Sequence, residues 1–165
     1  MDLQFLQSEL NRTSEWIKFS DQKSAFLSVY YSAIIGLLIS RKTEIIESFK
    51  LCTSWFIYIH FLILVGILIS SILGLFLLLK SIFPRLKNSF TDKSLFYFGH
   101  ISNMKFVDYS EAVKGLSGED AKKQITEQIY TNSVIADQKM KNVQNSTKCL
   151  FVLTILMAVL IFLFL

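Results

Sequence analysis

The sequence predicts an all-α membrane protein with three transmembrane helices, an amphipathic N-terminal helix, and a long cytoplasmic helical stalk continuous with the last span. The main observation is a run of 29 residues without a formal charge, from Leu51 to Leu79. As an α-helix this run is roughly 43 Å long, and the hydrocarbon core of a bilayer is roughly 30 Å thick. Two shorter uncharged runs, Ser24–Ser40 and Cys149–Leu165, reach the lower end of the length of a spanning helix. We therefore expect three spans.

Residues 1–23 are predicted to form an amphipathic helix that leads into the first span. Apolar residues recur there at intervals of three or four, and Trp16 suits the headgroup level of a membrane. The other apolar residues of this stripe are Leu3, Leu6, Leu10, Ile17 and Phe19. No basic n-region precedes a cleavable hydrophobic segment, so we expect the first span, 24–40, to be retained as an anchor.

A short outer loop, residues 41–50, is expected between the first span and the second, 51–79. Pro84 is the only proline of the chain and favours an end of the second helix near Ile82 or Phe83. From there to Gly118 the chain is polar but rich in aromatic residues. We expect short elements and turns around a small core in this part.

The region after Gly118 is predicted to be one helix that continues to the C-terminus. Ser117, followed three residues later by Asp120, resembles a capping box, and apolar residues then recur at helical spacing without proline or glycine. These apolar residues are Ile125, Ile129, Ile135 or Ala136, Met140 and Val143. Residues 80–148 thus form a cytoplasmic helical region and 149–165 the third span. About 40 Å of this helix would project from the bilayer as a stalk.

The distribution of basic residues predicts the orientation. Residues 1–23 and 80–148, which an odd number of spans places on the same side, hold 14 of the 17 Lys and Arg residues. Because cytoplasmic segments are enriched in Lys and Arg, we expect both segments, and hence the N-terminus, in the cytoplasm. Cys52 and Cys149 then lie near opposite faces of the bilayer, too far apart for a disulfide, and are expected to be free thiols.

Composition gives no indication of catalysis or of a nucleic-acid polymer as partner. Basic residues directly after a span are explained by anionic lipid headgroups, so the formal net charge of +4 does not require nucleic acid. The histidines are His60 and His100, the two cysteines lie apart, and no phosphate-binding glycine loop or metal-ligand cluster is evident. We therefore expect no enzyme, no catalytic residue, no metal and no cofactor.

Small residues recur every fourth position in the first two spans and predict close helix contacts, because small side chains let backbones approach in lipid. A second interpretation is that the serines of the first span line a water-filled path in an oligomer. The residues of both patterns are Ser28, Ser32, Gly36, Ser40, Gly66, Ser70 and Gly74.

His60 is the ionisable side chain inside the second span. Ionisable groups within a membrane are candidates for function, whereas a position near the outer interface beside Tyr58 would leave a neutral imidazole without a functional role. Both interpretations remain open from the sequence.

Three short motifs resemble the Pycsar transmembrane effector family. The segment 16–26, WIKFSDQKSAF, is similar to that family's W-x-x-(F/A)-(A/S)-D-x-K-x-(A/G) at the start of the first span. The segments 96–101, FYFGHI, and 128–139, which begins QIYTNSVIA and ends in Lys139, are similar to two further stretches. The three motifs occur in the family's order around matching spans and together cover nearly the whole chain.

The resemblance implies a multi-pass effector of antiphage defence in the bacterial inner membrane. Its functional partner would be a nucleotide cyclase, which acts through a diffusible product, cCMP or cUMP. The activated effector would impair the membrane and cause abortive infection before phage release. A homo-oligomer embedded in the lipid bilayer is expected, because three short spans make a poor pore alone.

The chain contains no recognisable cyclic-nucleotide-binding domain, so a nucleotide would have to be bound by cytoplasmic cations, aromatic rings and amides. The alternative is that these side chains only fix the helices together. The candidates are Trp16, Lys23, Tyr130, Asn132 and Lys139. The alternative function is a non-conducting membrane scaffold or regulatory protein that recruits a partner through its stalk.

Overall fold

The computed structural model describes residues 2–51, 54–83 and 94–164. Most of these residues are helical and none lies in a strand, which confirms the predicted all-α class. The helices are α1 (Leu3–Ser40), α2 (Lys42–Leu51), α3 (Ser54–Ile82), α4 (Phe98–Ile101), α5 (Phe106–Lys114) and α6 (Gly118–Phe164).

Three of these helices, α1, α3 and α6, are long and apolar enough to cross a membrane. The amphipathic N-terminal segment and the first predicted span form one continuous helix, α1. The stalk and the last span are likewise one helix of 47 residues, α6. The predicted continuity of stalk and span is therefore confirmed, and its physical basis is the absence of proline and glycine after Gly118.

The segment predicted as a short loop, 41–50, is largely helical. Only Arg41 separates α1 from α2, and the Arg41 N–H still donates to the Leu37 carbonyl oxygen at 3.1 Å. Helix α3 ends at Ile82, where Pro84 led us to expect an end. Pro84 itself and Cys52 lie outside the described residues, and Cys149 is a free thiol.

The chain divides into two compact units. The first, here called the polar unit, comprises Met1–Ser20 and Pro84–Lys139. The second, the membrane unit, comprises Asp21–Phe83 and Met140–Leu165. Helices α1 and α6 contribute to both units, and each unit is described separately below.

The membrane unit packs parts of α1, α3 and α6 around an apolar core. Ser24 lies opposite Ser81 and Tyr31 lies opposite Gly74, so α1 and α3 run antiparallel. The core consists of Tyr31, Ile63, Ile67, Leu78, Leu153, Met157 and Leu160. Many large apolar side chains on the outside of this unit are exposed, including Phe26, Leu62 and Phe162. Such a surface is suited to lipid tails, and it accounts for the apolar composition of the three spans.

The polar unit packs the start of α1 and the short helices α4 and α5 with the start of α6. Ile125 and Ala136 are buried, which follows the apolar stripe predicted for α6. Of the stripe predicted for α1, Leu6 is buried, whereas Leu3, Trp16 and Phe19 are exposed. The Ser117 hydroxyl accepts the Asp120 N–H at 3.1 Å and donates to the Asp120 carboxylate at 2.6 Å. The predicted cap is therefore confirmed, and it explains why α6 begins at Gly118.

Candidate functional site

A hydrogen-bonded cluster joins the three long helices inside the membrane unit. The Tyr31 hydroxyl of α1 donates to the backbone carbonyl oxygen of Ser146 in α6 at 2.8 Å. The Ser146 hydroxyl in turn donates to the Gly74 carbonyl oxygen of α3 at 3.0 Å. All three residues are buried, and in lipid such bonds contribute to helix association because packing there has no hydrophobic driving force.

Gly74 is required for this cluster to form. A Cβ atom added at Gly74 would lie 1.8 Å from the Tyr31 hydroxyl oxygen, well inside any allowed contact. At Gly66, an added Cβ would lie 3.0 Å from Leu156 Cδ1, the end of a flexible side chain. Gly74 therefore lets the Tyr31 ring reach the α3 backbone, while Gly66 allows closer contact with α6.

Most of the small residues that repeat along the first span face away from the protomer's own core. Ser32, Gly36 and Ser40 are exposed, and a Cβ added at Gly36 meets no described atom within 4 Å. Ser28 is half-buried and donates to the Ser24 carbonyl oxygen at 2.8 Å. The exposed serines and Gly36 are available to lipid or to a second copy of the chain.

The two polar candidates of α3, His60 and Ser70, are less exposed than Ser32, Gly36 and Ser40 of the first span. The His60 side chain is fully buried, whereas Tyr58 two residues earlier is exposed. Ser70 is half-buried on the same helix. His60 is thus enclosed by the helix packing of the membrane unit and is not presented to its surface.

Four of the five predicted ligand residues belong to the polar unit, and they do not all share one face. Asn132 and Lys139 are seven residues apart on α6 and therefore lie on the same side, about two turns apart. Tyr130 precedes Asn132 by two residues, about 200° around the helix, and is 61% exposed. Trp16 is half exposed on α1. Lys23, an exposed residue, belongs to the membrane unit.

Asn132 lies at the contact between α1 and α6 within the polar unit. Its Nδ2 atom is 3.5 Å from the Ser14 hydroxyl oxygen, to which it donates a weak hydrogen bond. Trp16, two residues beyond Ser14, packs edge-to-face on Phe19 with ring centroids 5.9 Å apart. Asn132 and Trp16 therefore both belong to this helix pair. Their chemistry is suited to holding α1 and α6 together and also to binding a nucleotide.

A polar cleft of about 270 Å³ lies on another side of α6, and the sequence did not reveal it. It is bounded by the end of α5, the turn that follows, Ser94 and the first turns of α6. The lining residues are Ser94, Ala112, Gly115, Leu116, Asp120, Lys123, Gln124 and Glu127. The only signal in the sequence is a group of polar residues at positions 120, 123, 124 and 127, a spacing that places them on one helix face.

The FYFGHI segment holds one wall of this cleft in place. His100 Nδ1 accepts the Ser94 N–H at 2.8 Å, and Gln124 Oε1 accepts the Leu95 N–H at 2.8 Å. A Cβ at Gly99, within α4, would lie 2.6 Å from the Tyr97 ring, so a larger residue there would force that ring to move. A segment first noted for its resemblance to a family thus fixes the backbone at the edge of a cleft.

The cleft combines one cation with two carboxylates and an amide. Lys123 forms no ion pair with the described residues, and Gln124 retains its Nε2 donors because its oxygen is used by Leu95. Asp120 and Glu127 supply acceptors. Just outside the cleft, the hydrogen bond and charge of Lys122 hold the pKa of the exposed Glu119 carboxyl group below its usual value. The cleft can therefore bind a polar group that both donates and accepts hydrogen bonds.

Three bilayer-length helices joined through buried hydrogen bonds, together with a polar helical unit that contains a cleft, define a multi-span α-helical membrane protein. The model of the Pycsar effector protein domain matches residues 5–165, nearly the whole chain. The chain belongs to this family and is an antiphage effector of cyclic-nucleotide signalling, in a family of membrane effectors. No curated protein and no solved structure matches it.

Proposed function

We propose that a cyclic pyrimidine mononucleotide, cCMP or cUMP, activates this effector in the bacterial inner membrane. Activation impairs membrane integrity and causes abortive infection. The observation that carries the proposal is the family match over residues 5–165. The three helices long enough to cross a bilayer support an action on the membrane, and the separate polar unit supports the recognition of a soluble signal.

The polar unit offers two places for the nucleotide. One is the α1–α6 contact with Trp16 and Asn132, and with Lys139 two turns further along the same side of α6. The other two predicted candidates lie elsewhere: Tyr130 is about 200° around α6 from Asn132, and Lys23 belongs to the membrane unit. The other is the cleft, where a carboxylate can accept from the exocyclic amine of cytosine and Lys123 can meet the phosphate. Uracil has no exocyclic amine, but its N3–H can donate to the same carboxylates and its O4 can accept from Gln124, so the cleft is chemically suited to either pyrimidine.

The nucleotide acts by shifting an equilibrium between a resting and an active arrangement of the spans. It must bind the active arrangement more tightly, since equal binding to both shifts nothing. A homo-oligomer gives the spans a way to rearrange against each other, and the exposed Ser32, Gly36 and Ser40 provide a face of small residues for that contact. The cyclase takes part through its diffusible product, which reaches the cytoplasmic polar unit.

Dye release from liposomes tests the proposal. The purified full chain is reconstituted, and cCMP, cUMP, cyclic AMP and cyclic dinucleotides are added one at a time. We expect release with one pyrimidine nucleotide only. Lys123→Ala should abolish the response if the cleft is the site, and Lys139→Ala should abolish it if the α1–α6 contact is the site. Lys18→Ala, which removes an exposed charge on α1, is the control and should respond normally.

A second function, a non-conducting scaffold, is favoured by one specific observation. Phe106 of α5 is 82% exposed, and Phe98 and Val107 are also largely exposed, which is unusual for a polar unit unless a partner covers them. Silence with every nucleotide in a folded, reconstituted sample would contradict the gated effector. Recovery of one defined protein with the wild type, lost with Phe106→Ser, would support recruitment instead.

A further inference from the structure

An apolar pocket of about 250 Å³ opens in the membrane unit where α1, α2 and α6 meet. Most of its wall is aliphatic, and two charged side chains complete it. The lining residues are Leu37, Leu38, Arg41, Glu44, Ile45, Met157, Leu160 and Ile161. All of them lie in the membrane unit, and the nucleotide candidates play no part in it.

The pocket lies at the boundary between hydrocarbon and headgroups. Arg41 is the first charged residue after the uncharged run Ser24–Ser40, and Leu37 and Leu38 form the last turn of that run. The opposite wall comes from Met157 and Ile161, within the uncharged C-terminal run. A pocket so placed has apolar walls toward the bilayer core and charges toward the headgroups.

The two charges form one pair with unused bonding capacity. Arg41 Nη1 donates to both Glu44 carboxylate oxygens, at 2.6 and 2.8 Å. Glu44 therefore leaves the Nη2 and Nε donors of the guanidinium unused, and its own oxygens have further lone pairs. Both side chains are about half exposed, so a headgroup can reach them. The pair presents a positive and a negative group side by side.

We propose that this pocket binds a phospholipid with a primary ammonium headgroup, of the phosphatidylethanolamine type. One acyl chain lies between α1 and α6, the phosphate accepts from the free guanidinium donors of Arg41, and the ammonium donates to Glu44. A purely anionic headgroup would meet the Glu44 carboxylate without compensation. A choline headgroup carries the charge but has no N–H to donate, so it satisfies Glu44 less well.

The headgroup, and not the acyl chain, provides the selectivity. An apolar cavity of about 150 Å³ can hold benzene, so this pocket has room for a segment of an acyl chain. A chain that moves from the bilayer into the pocket leaves one apolar environment for another and gains little from the hydrophobic effect. Discrimination among lipids must therefore come from Arg41 and Glu44. This inference does not depend on nucleotide activation.

Lipid retention tests the proposal. The full chain is reconstituted in nanodiscs that contain phosphatidylethanolamine, phosphatidylglycerol and phosphatidylcholine in equal amounts, then transferred to detergent. Lipids that remain with the protein are quantified by mass spectrometry. We expect enrichment of phosphatidylethanolamine in the wild type and loss of that enrichment in Arg41→Gln. Lys42→Gln, an exposed neighbour outside the pocket, is the matched control and should retain the enrichment.

Glu44→Gln gives the sharper second measurement. It frees the guanidinium charge, so the preference should shift from phosphatidylethanolamine toward phosphatidylglycerol. Circular dichroism of each variant verifies that the helices are intact, and Glu44→Gln keeps the argument testable if Arg41→Gln fails to fold. Equal retention of the three lipids by the wild type would overturn the proposal. Enrichment of phosphatidylglycerol in the wild type, or unchanged enrichment in Glu44→Gln, would overturn it as well.

Discussion

Among the glycines of the membrane unit, Gly74 has the least room for a side chain. The Tyr31 hydroxyl group occupies the space that a Cβ would need, and the same hydroxyl donates to the Ser146 carbonyl oxygen. Because glycine has no side chain, the Tyr31 hydroxyl can approach the α3 backbone, and α1, α3 and α6 are joined by hydrogen bonds at this point. A larger residue at this position would lower the stability of the fold, because it would displace the fully buried Tyr31 side chain.

Substitution of glycines by alanine in the spans should give a graded series. Gly74→Ala should destabilise the protein most, because the Tyr31 ring must move and loses its bond to Ser146. Gly66→Ala should have a smaller effect, since the Leu156 side chain can yield. Gly36→Ala should be neutral or stabilising, because the site is open and alanine is the better helix former. The measurement is the unfolding temperature in detergent by circular dichroism.

The three substitutions gain the same helix propensity, so their differences report the surroundings of each glycine. Tyr31→Phe provides a further control. It removes the hydroxyl and its hydrogen bond, at the cost of about 0.6 kcal/mol, an average for a hydrogen bond between helices in lipid. Because the ring carbon Cζ would still lie 2.3 Å from the added Cβ, Gly74→Ala should remain destabilising in the Tyr31→Phe background. Equal unfolding temperatures for Gly74→Ala and Gly36→Ala would contradict the close contact between Tyr31 and Gly74.

Helix α6 begins at the Ser117 cap in the polar unit and continues without a break into the membrane unit. Its first turn carries Glu119 and Asp120, whose charges favour a helix N-terminus, and Ser117 accepts the Asp120 N–H. Its apolar stripe follows, with Ile125, Ala136 and Val143 buried. Because no residue in this stretch interrupts the backbone hydrogen bonds, the same helix becomes the last span.

Ser117→Ala should loosen the start of α6 without affecting the rest of the helix. Loss of a serine cap costs about 1 kcal/mol, which corresponds to about fivefold more frequent local opening. Hydrogen exchange at the amides of Asp120 and Ala121 should therefore accelerate, while exchange after Val143 stays unchanged. Ser133→Ala, an exposed position inside α6, is the matched control and should not accelerate exchange at these amides. An unchanged rate in Ser117→Ala would show that the cap contributes nothing.

Helix boundaries were largely predictable at this level, whereas helix faces were predictable only in part. The uncharged runs, the capping box and the lack of proline are local signals, and they led to α1, α3 and α6. The exception is α2, Lys42–Leu51: most of it falls within 41–50, which was expected to be a loop because a short charged segment between two spans carries no strong helical period. Backbone hydrogen bonds that continue across Arg41 extend the helical conformation into it.

The orientation of the whole chain is a further testable prediction. Because 14 of the 17 Lys and Arg residues lie in 1–23 and 80–148, both segments should be cytoplasmic. The test uses chains in which Cys52 and Cys149 are replaced by serine. A membrane-impermeant maleimide should label Lys42→Cys in spheroplasts, whose inner membrane is intact, and Ser8→Cys only after that membrane is permeabilised. The reverse pattern would contradict the orientation and place the polar unit outside the cytoplasm.

The sequence was sufficient for the class, the number of spans and the family resemblance, because hydropathy, capping and short motifs are read along the chain. It was not sufficient for the contacts that define the sites. Gly36 and Gly74 occur in the same small-residue pattern, yet one is open and the other touches Tyr31. The cluster of Tyr31, Gly74 and Ser146, and the cleft beside Gln124, depend on the rotation of each helix about its axis. That rotation is set by packing between residues far apart in the chain, so no local pattern reports it.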